Sequence, residues 1–208
     1  MDVRERLIDG IRRFRTEVYT ERKEAYARAE AEPQQPHTLI VACADSRIQL
    51  ETITQSSPGE IFVTRNIGNM IPTYGEMLGG VSAVLEYAVT ALKVQHIVVC
   101  GHTDCGAMKA LLDPASLDRM PTVRRWLRNA EAAMSVAREV ESNGDFLMNL
   151  TKQNVLMQMT HAKTHPSVAG ALARGELLIS GWVYEIGSGN VLIYDQAKNA
   201  FEPVVVEG

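Results

Sequence analysis

No stretch of this chain approaches the run of about 20 apolar residues that a bilayer-spanning helix needs. Its start, MDVRERLIDGIRRF, is charged where a secretory leader would be apolar. The expectation is a protein that stays where it is made and does not use a membrane. Cysteine is scarce: 3 thiols in 208 residues are too few, and odd in number, for a disulfide framework. That points to a reducing compartment, the cytoplasm, in which thiolates are available as ligands. A basic excess is also missing. The 21 Lys and Arg stand against 25 Asp and Glu, a formal net charge of -4, so nucleic acid is not expected as a partner. The local cluster VRRWLR at 123–128 reads as a solvated helix flank. There is no internal repeat and no low-complexity segment.

What is present is patterned. The length suits a single domain over 1–208, with residues 1–32 as an N-terminal helical arm. Leu7, Ile11, Phe14 and Val18 recur at a spacing of three to four, which predicts a helix over 4–31 with one apolar stripe. The two prolines of AEPQQPH end it. TLIVAC, IFVTRN and HIVVCGH are short β-branched runs of the kind found in strands covered on both faces. Between the last two, residues 75–94 predict a helix. Helices are also predicted over 122–141 and 145–165, and 177–195 reads as a closing hairpin with Gly-Ser-Gly-Asn at its tip. Strands alternating with helices indicate an α/β fold: a mainly parallel sheet flanked by helices, with the N-terminal arm and a C-terminal hairpin extension.

In such sheets ligands gather beyond the carboxyl ends of the strands. TLIVAC ends at Cys43, and HIVVCGH ends at His102 with Cys105 on the next turn. If those strands are neighbours, three ligands meet. Two thiolates and an imidazole suit zinc, balance its charge and leave one position open for chemistry. Cys100 points to the same face as His102 but lies deeper in the apolar run, and reads as a small buried thiol. Asp45 and Arg47 follow Cys43 at intervals of two. A bidentate arginine would hold the aspartate oriented and ionised beside the metal. His161 and His165 stand at helical spacing with no further ligand between them, and His165 precedes a proline at a helix end. Trp126 and Trp182 read as core or interface anchors, and His96 as packing at a strand start.

CADSR at 43–47 and GHTDCGA at 101–107, joined by FVTRNIGNMIP and LEYAVTALKV, closely resemble the β-class carbonic anhydrases. THPSVAGALARGEL and GWVYEIGSG extend the likeness toward the C-terminus. The resemblance implies one Zn2+ per chain, held by Cys43, His102 and Cys105, with Asp45 and Arg47 as a catalytic dyad. Asp45 is a possible fourth ligand in a closed state. It implies reversible hydration of carbon dioxide to bicarbonate and a proton by attack of zinc-bound hydroxide. It further implies a homodimer or dimer of dimers, in which a glutamine and aromatic residues of one chain complete the pocket of the other. Gln34, Phe62, Ile67 and Tyr87 match those substrate-binding positions, and Gly106 would offer its N–H to substrate. A subset of the family binds inhibitory bicarbonate at a Trp-Arg-Tyr trio. Arg65 and Tyr87 match two of its positions, but Ile40 replaces the tryptophan. Hydrolysis of carbonyl sulfide or carbon disulfide, and a non-catalytic zinc or thiol-sensing role, are the alternative functions.

Overall fold

Alternation inside two β-branched runs decides the architecture. In the computed structural model, which describes residues 2–75, 79–140 and 144–205, Thr38–Cys43, Ile61–Asn66, His96–His102 and Leu178–Tyr184 form parallel strands β1 to β4. Val191–Asp195 and Ala200–Pro203 (β5 and β6) add antiparallel at one edge, giving the order β2-β1-β3-β4-β5-β6. Along β1 and β3, side chains point alternately into two cores. Ile40, Ala42, Val98 and Cys100 enter one, and Leu39, Val41, Ile97 and Val99 the other. Both faces are therefore dry, which is why neither run shows polar alternation. Each of the large aliphatic side chains contributes about 1.5–3 kcal/mol by burial.

The helices are α1 (Val3–Arg13), α2 (Lys23–Ala31), α3 (Gly80–Glu86), α4 (Gly106–Leu112), α5 (Glu131–Glu139), α6 (Phe146–Ala162) and α7 (Pro166–Ala173), with shorter turns between them. Helices α4 and α5 cover the first core with Met108, Met134 and Ala137. Helices α3, α6 and α7 cover the second with Leu85, Val155, Met159, Val168 and Ala171. Helix α6 begins where the Asp145 carboxylate accepts from the Met148 amide at 2.9 Å, an N-cap that satisfies one orphan donor. It lies so close to the sheet that a Cβ on Gly181 would come within 2.7 Å of Val155 Cγ1 and Met159 Sδ.

Several expected helices are interrupted. The one expected over 4–31 widens to a π-helical turn at Phe14–Val18 and breaks at Arg22. That geometry brings Tyr19 and Tyr26 into a stack at 5.3 Å with Phe14 edge-on to both. Apart from Phe14, the stripe lies open: Leu7 is 68% and Ile11 60% exposed. The helix expected over 75–94 is α3 followed by a π-helical Tyr87–Ala91, and its residues 76–78 lie outside the described residues. The one expected over 122–141 is divided into Pro121–Trp126, a 3-10 turn at Leu127–Ala130 and α5. There the Asn129 carbonyl accepts from Gln158 of α6 at 2.9 Å, and the predicted last residue, Glu141, is outside the described residues. Helix α7 and strand β6 are additions that the patterning did not predict.

Candidate metal centre and active site

Strands β1 and β3 are parallel hydrogen-bonded neighbours, with Ala42 opposite Cys100, so Cys43 and His102 stand together at the carboxyl ends of their strands. Past β3 the Thr103 amide donates to the Tyr184 carbonyl at 3.0 Å. Asp104 then takes a left-handed φ of 59°, a conformation that Asp, Asn and Gly adopt most readily. This turn brings Cys105 round to cap α4. The ligand atoms of Cys43, His102 and Cys105 consequently lie within 4.8 Å of one another, all three buried.

The donor set fits a zinc ion. Nδ1 of His102 faces the Thr103 carbonyl at 2.8 Å; since a carbonyl only accepts, Nδ1 carries the proton and Nε2 presents its lone pair. That Nε2 is fully buried and has no hydrogen-bond partner among the described residues, a costly state for an isolated imidazole and the correct one for a ligand. The sulfurs of Cys43 and Cys105 lie within 4.8 Å of each other. The Cys43 thiol is held well below its ordinary value, chiefly by the Cys105 thiol donating to it, with the His102 ring and the amides of Gly68 and Asp45 adding to this and burial opposing it. The Cys43 thiolate and burial push Cys105 up in turn. A divalent cation would replace the Cys105 proton and be neutralised by both thiolates. Cys100 stays apart, its thiol pushed up to about 12 by burial.

Asp45 stands at the rim. Its Oδ1 accepts from Nε of Arg47 at 2.9 Å and from the Arg47 amide at 3.0 Å, and its Oδ2 accepts from Nη2 at 2.7 Å. Oδ2 also lies 3.9 Å from Nε2 of His102. The hydrogen bonds from Arg47 hold the carboxyl well below the usual carboxylate range. Arg47 further donates to Asp104, at 2.8 Å to Oδ2 and 3.2 Å to the carbonyl, and Asp104 is ion-paired with Lys109.

The wall beside Cys43 is residues 66–71, fastened by buried amides of α6. Gln158 accepts from the Ile71 amide at 2.7 Å, and Asn154 donates to the Gly68 carbonyl at 3.1 Å. Gly68 has φ 79°, and a Cβ there would stand 2.9 Å from Ala107 Cβ and from Met70 Cε. A Gly68→Ala variant should therefore lose about 2–4 kcal/mol of unfolding free energy in urea titration, from left-handed strain plus overpacking against α4. A loss under about 0.5 kcal/mol would show that the close approach is not needed.

The residues expected at the substrate site are spread out. Gly106 begins α4, where first-turn amides have no intrahelical acceptor. Ile67 is 43% exposed and its carbonyl is fixed by Nε1 of Trp126 at 2.8 Å. Phe62 and Tyr87, with ring centroids 6.2 Å apart, line a separate concavity of about 850 Å³ with Tyr74 and Ser82, to which none of the three cluster residues contributes. Gln34 is exposed and borders a smaller concavity beside α2. His165 is buried against Ser82 and Tyr74, and His161 bonds the Ile71 carbonyl. His96 bonds Ser180, and Trp182 packs on the first core. Arg65 holds the Cys43 and Ile48 carbonyls, and Ile40 is buried in the core.

Fold and site together define an α/β protein whose parallel strands present a Cys2His cluster able to hold a metal ion. Residues 38–191 match the family described as carbonic anhydrase. The carbonic anhydrase of Pseudomonas aeruginosa is 47% identical over 197 residues, covering 94% of this chain and 89% of that protein. The solved structure of the β-carbonic anhydrase CcaA superimposes with a TM-score of 0.90 at 37% identity, covering 97% of this chain and 92% of that one. A tetrameric β-carbonic anhydrase from Sordaria macrospora does so with a TM-score of 0.78 at 25% identity, covering 91% and 95%. This chain belongs to the carbonic anhydrase family and is an enzyme of its β class.

Proposed function

We propose that the protein hydrates carbon dioxide reversibly to bicarbonate and a proton, using one zinc ion per chain held by Cys43, His102 and Cys105. The observation that carries this reading is the buried Nε2 of His102, without a hydrogen-bond partner among the described residues and within 4.8 Å of the sulfurs of Cys43 and Cys105. Zinc, when bound, supplies Lewis acidity that allows a water molecule to ionise near neutral pH. Asp45, ionised throughout that range, can only accept a hydrogen bond. Its Oδ2 takes the O–H of the attacking oxygen and so turns that oxygen's lone pair toward the substrate carbon. Arg47 holds the carboxylate in that orientation. The Gly106 amide donates to a substrate oxygen, where charge develops.

The same reading makes residues 1–208 one domain with 1–32 as a dimerising arm, and the protein a homodimer or dimer of dimers. The exposed Leu7 and Ile11 support an arm seated on a second copy. Gln34, Phe62 and Tyr87 lie apart from the cluster of their own chain, as side chains that complete a partner's site would, and the Sordaria relative is tetrameric. Location in the cytoplasm is supported by three free cysteines, two of which the metal site requires reduced. No helix among the described residues is long and apolar enough to cross a membrane.

The test is zinc content per chain with stopped-flow carbon dioxide hydration between about pH 6 and pH 9. One zinc per chain and a rate that rises with pH are expected. Sulfide release from carbonyl sulfide with no hydration of carbon dioxide would overturn the substrate; normal behaviour without metal would overturn the centre.

A further inference from the structure

A bidentate Asp–Arg pair fixes two side chains relative to each other but leaves them free to move as a unit. Asp45 and Arg47 come from the same turn after β1, so their mutual hydrogen bonds do not tie them to the loop that carries His102 and Cys105. Asp104 makes that tie. It sits between those two ligands, its Oδ2 accepts from Nη1 of Arg47 at 2.8 Å, and its carbonyl accepts from Nη2 at 3.2 Å. Lys109 of α4 is ion-paired to its other oxygen, so that charges alternate along Lys109, Asp104, Arg47 and Asp45. We propose that Asp104 is a positioning residue: it anchors the far side of the Arg47 guanidinium to the ligand loop and thereby holds Asp45 at its distance from the cluster. This rests on the function proposed above.

The simpler role for Asp104 is to supply a residue that tolerates φ 59°. Two substitutions separate these roles. Glycine suits a positive φ best and removes the carboxylate; asparagine tolerates it and retains an acceptor oxygen. The side chains of Arg47 and Asp104 are 43% and 51% exposed, and exposed ion pairs add little to stability, so neither variant should fail to fold.

In Asp104→Gly, kcat for carbon dioxide hydration should fall about tenfold with KM within about twofold, the signature of a misplaced group rather than lost binding. Asp104→Asn should recover to within about threefold of wild type, because one oxygen still accepts from Arg47. Zinc content should be equal in all three proteins. With cobalt in place of zinc, the visible absorption bands of Asp104→Gly should differ from wild type, because an untethered Asp45 carboxylate can turn onto the metal. A wild-type kcat or a wild-type cobalt spectrum in Asp104→Gly overturns the proposal. If the wild-type zinc protein itself hydrates no carbon dioxide, the functional reading fails, and the cobalt spectra still decide the role of Asp104.

Discussion

Cys43→Ser should leave the protein folded but without its metal and without carbon dioxide hydration. A serine hydroxyl does not ionise near neutral pH, so the site would lose a ligand and one of the two negative charges that balance the ion. The Cys43 sulfur is also the group around which the pocket is built: the Cys105 thiol, the His102 ring and the amides of Gly68 and Asp45 all face it and favour its ionised form. Second-sphere partners of a metal ligand typically matter 10- to 100-fold, so removing the ligand itself should weaken zinc binding by about 1,000-fold or more. Elemental analysis after dialysis should find well under one zinc per chain, and activity should fall in proportion. Cys100→Ala is the control. Its sulfur lies in the first core and outside the cluster, so zinc content should hold while stability drops by about 1 kcal/mol for the lost buried atom. Retention of one zinc per chain in Cys43→Ser would remove Cys43 from the site.

The contrast between these two cysteines also shows what the sequence made legible. The clustering of Cys43, His102 and Cys105 was readable because side chains able to bind a metal, at the ends of dry, β-branched runs, have no packing explanation, and parallel neighbours place such ends together. Arg47 was readable through its short interval from Asp45. Asp104 was missed although it stands inside the ligand motif, because its partner Arg47 comes from a different loop and only the fold brings the two charges together. Gln158 and Asn154 were missed for a different reason. On a helix, polar residues read as a solvent face, yet both are buried and hold residues 66–71 against the site. The breaks at Arg22 and Ala130 carry neither glycine nor proline; aromatic stacking and a hydrogen bond from Gln158 accompany them. Helix α7 did have a signal, Pro166 at its first turn with His165 before it. Strand β6 spans only four residues, too few to show a period.

Asp45→Asn should retain one zinc per chain and lose about 100- to 1,000-fold in the rate of carbon dioxide hydration, the scale found when one preorganised hydrogen-bonding group is removed from a reaction centre. The two side chains have nearly the same shape, so the argument turns on the sign of one hydrogen bond. In wild type, both carboxylate oxygens accept: Oδ1 from Nε and Oδ2 from Nη2 of Arg47, with Oδ2 also facing the cluster. An asparagine has one acceptor and one donor end. If its NH2 faces Arg47, donors oppose donors; if it faces the cluster, the attacking oxygen meets a donor and turns its lone pair away from the substrate. Neither orientation reproduces the wild-type arrangement. The pH dependence provides a second check. Hydrogen bonds from Arg47 depress the Asp45 carboxyl below its ordinary value of 3.8, so the stabilising pair is fully present above that value and is lost only as pH falls beneath it. Between about pH 5 and pH 9 the wild-type rate should therefore contain no inflection from Asp45, and any rise with pH reports ionisation of the attacking water. The substitution should lower the whole profile without adding a new inflection in that window. A variant that hydrates carbon dioxide at the wild-type rate would remove Asp45 from the mechanism and leave the Cys2His cluster to act without it.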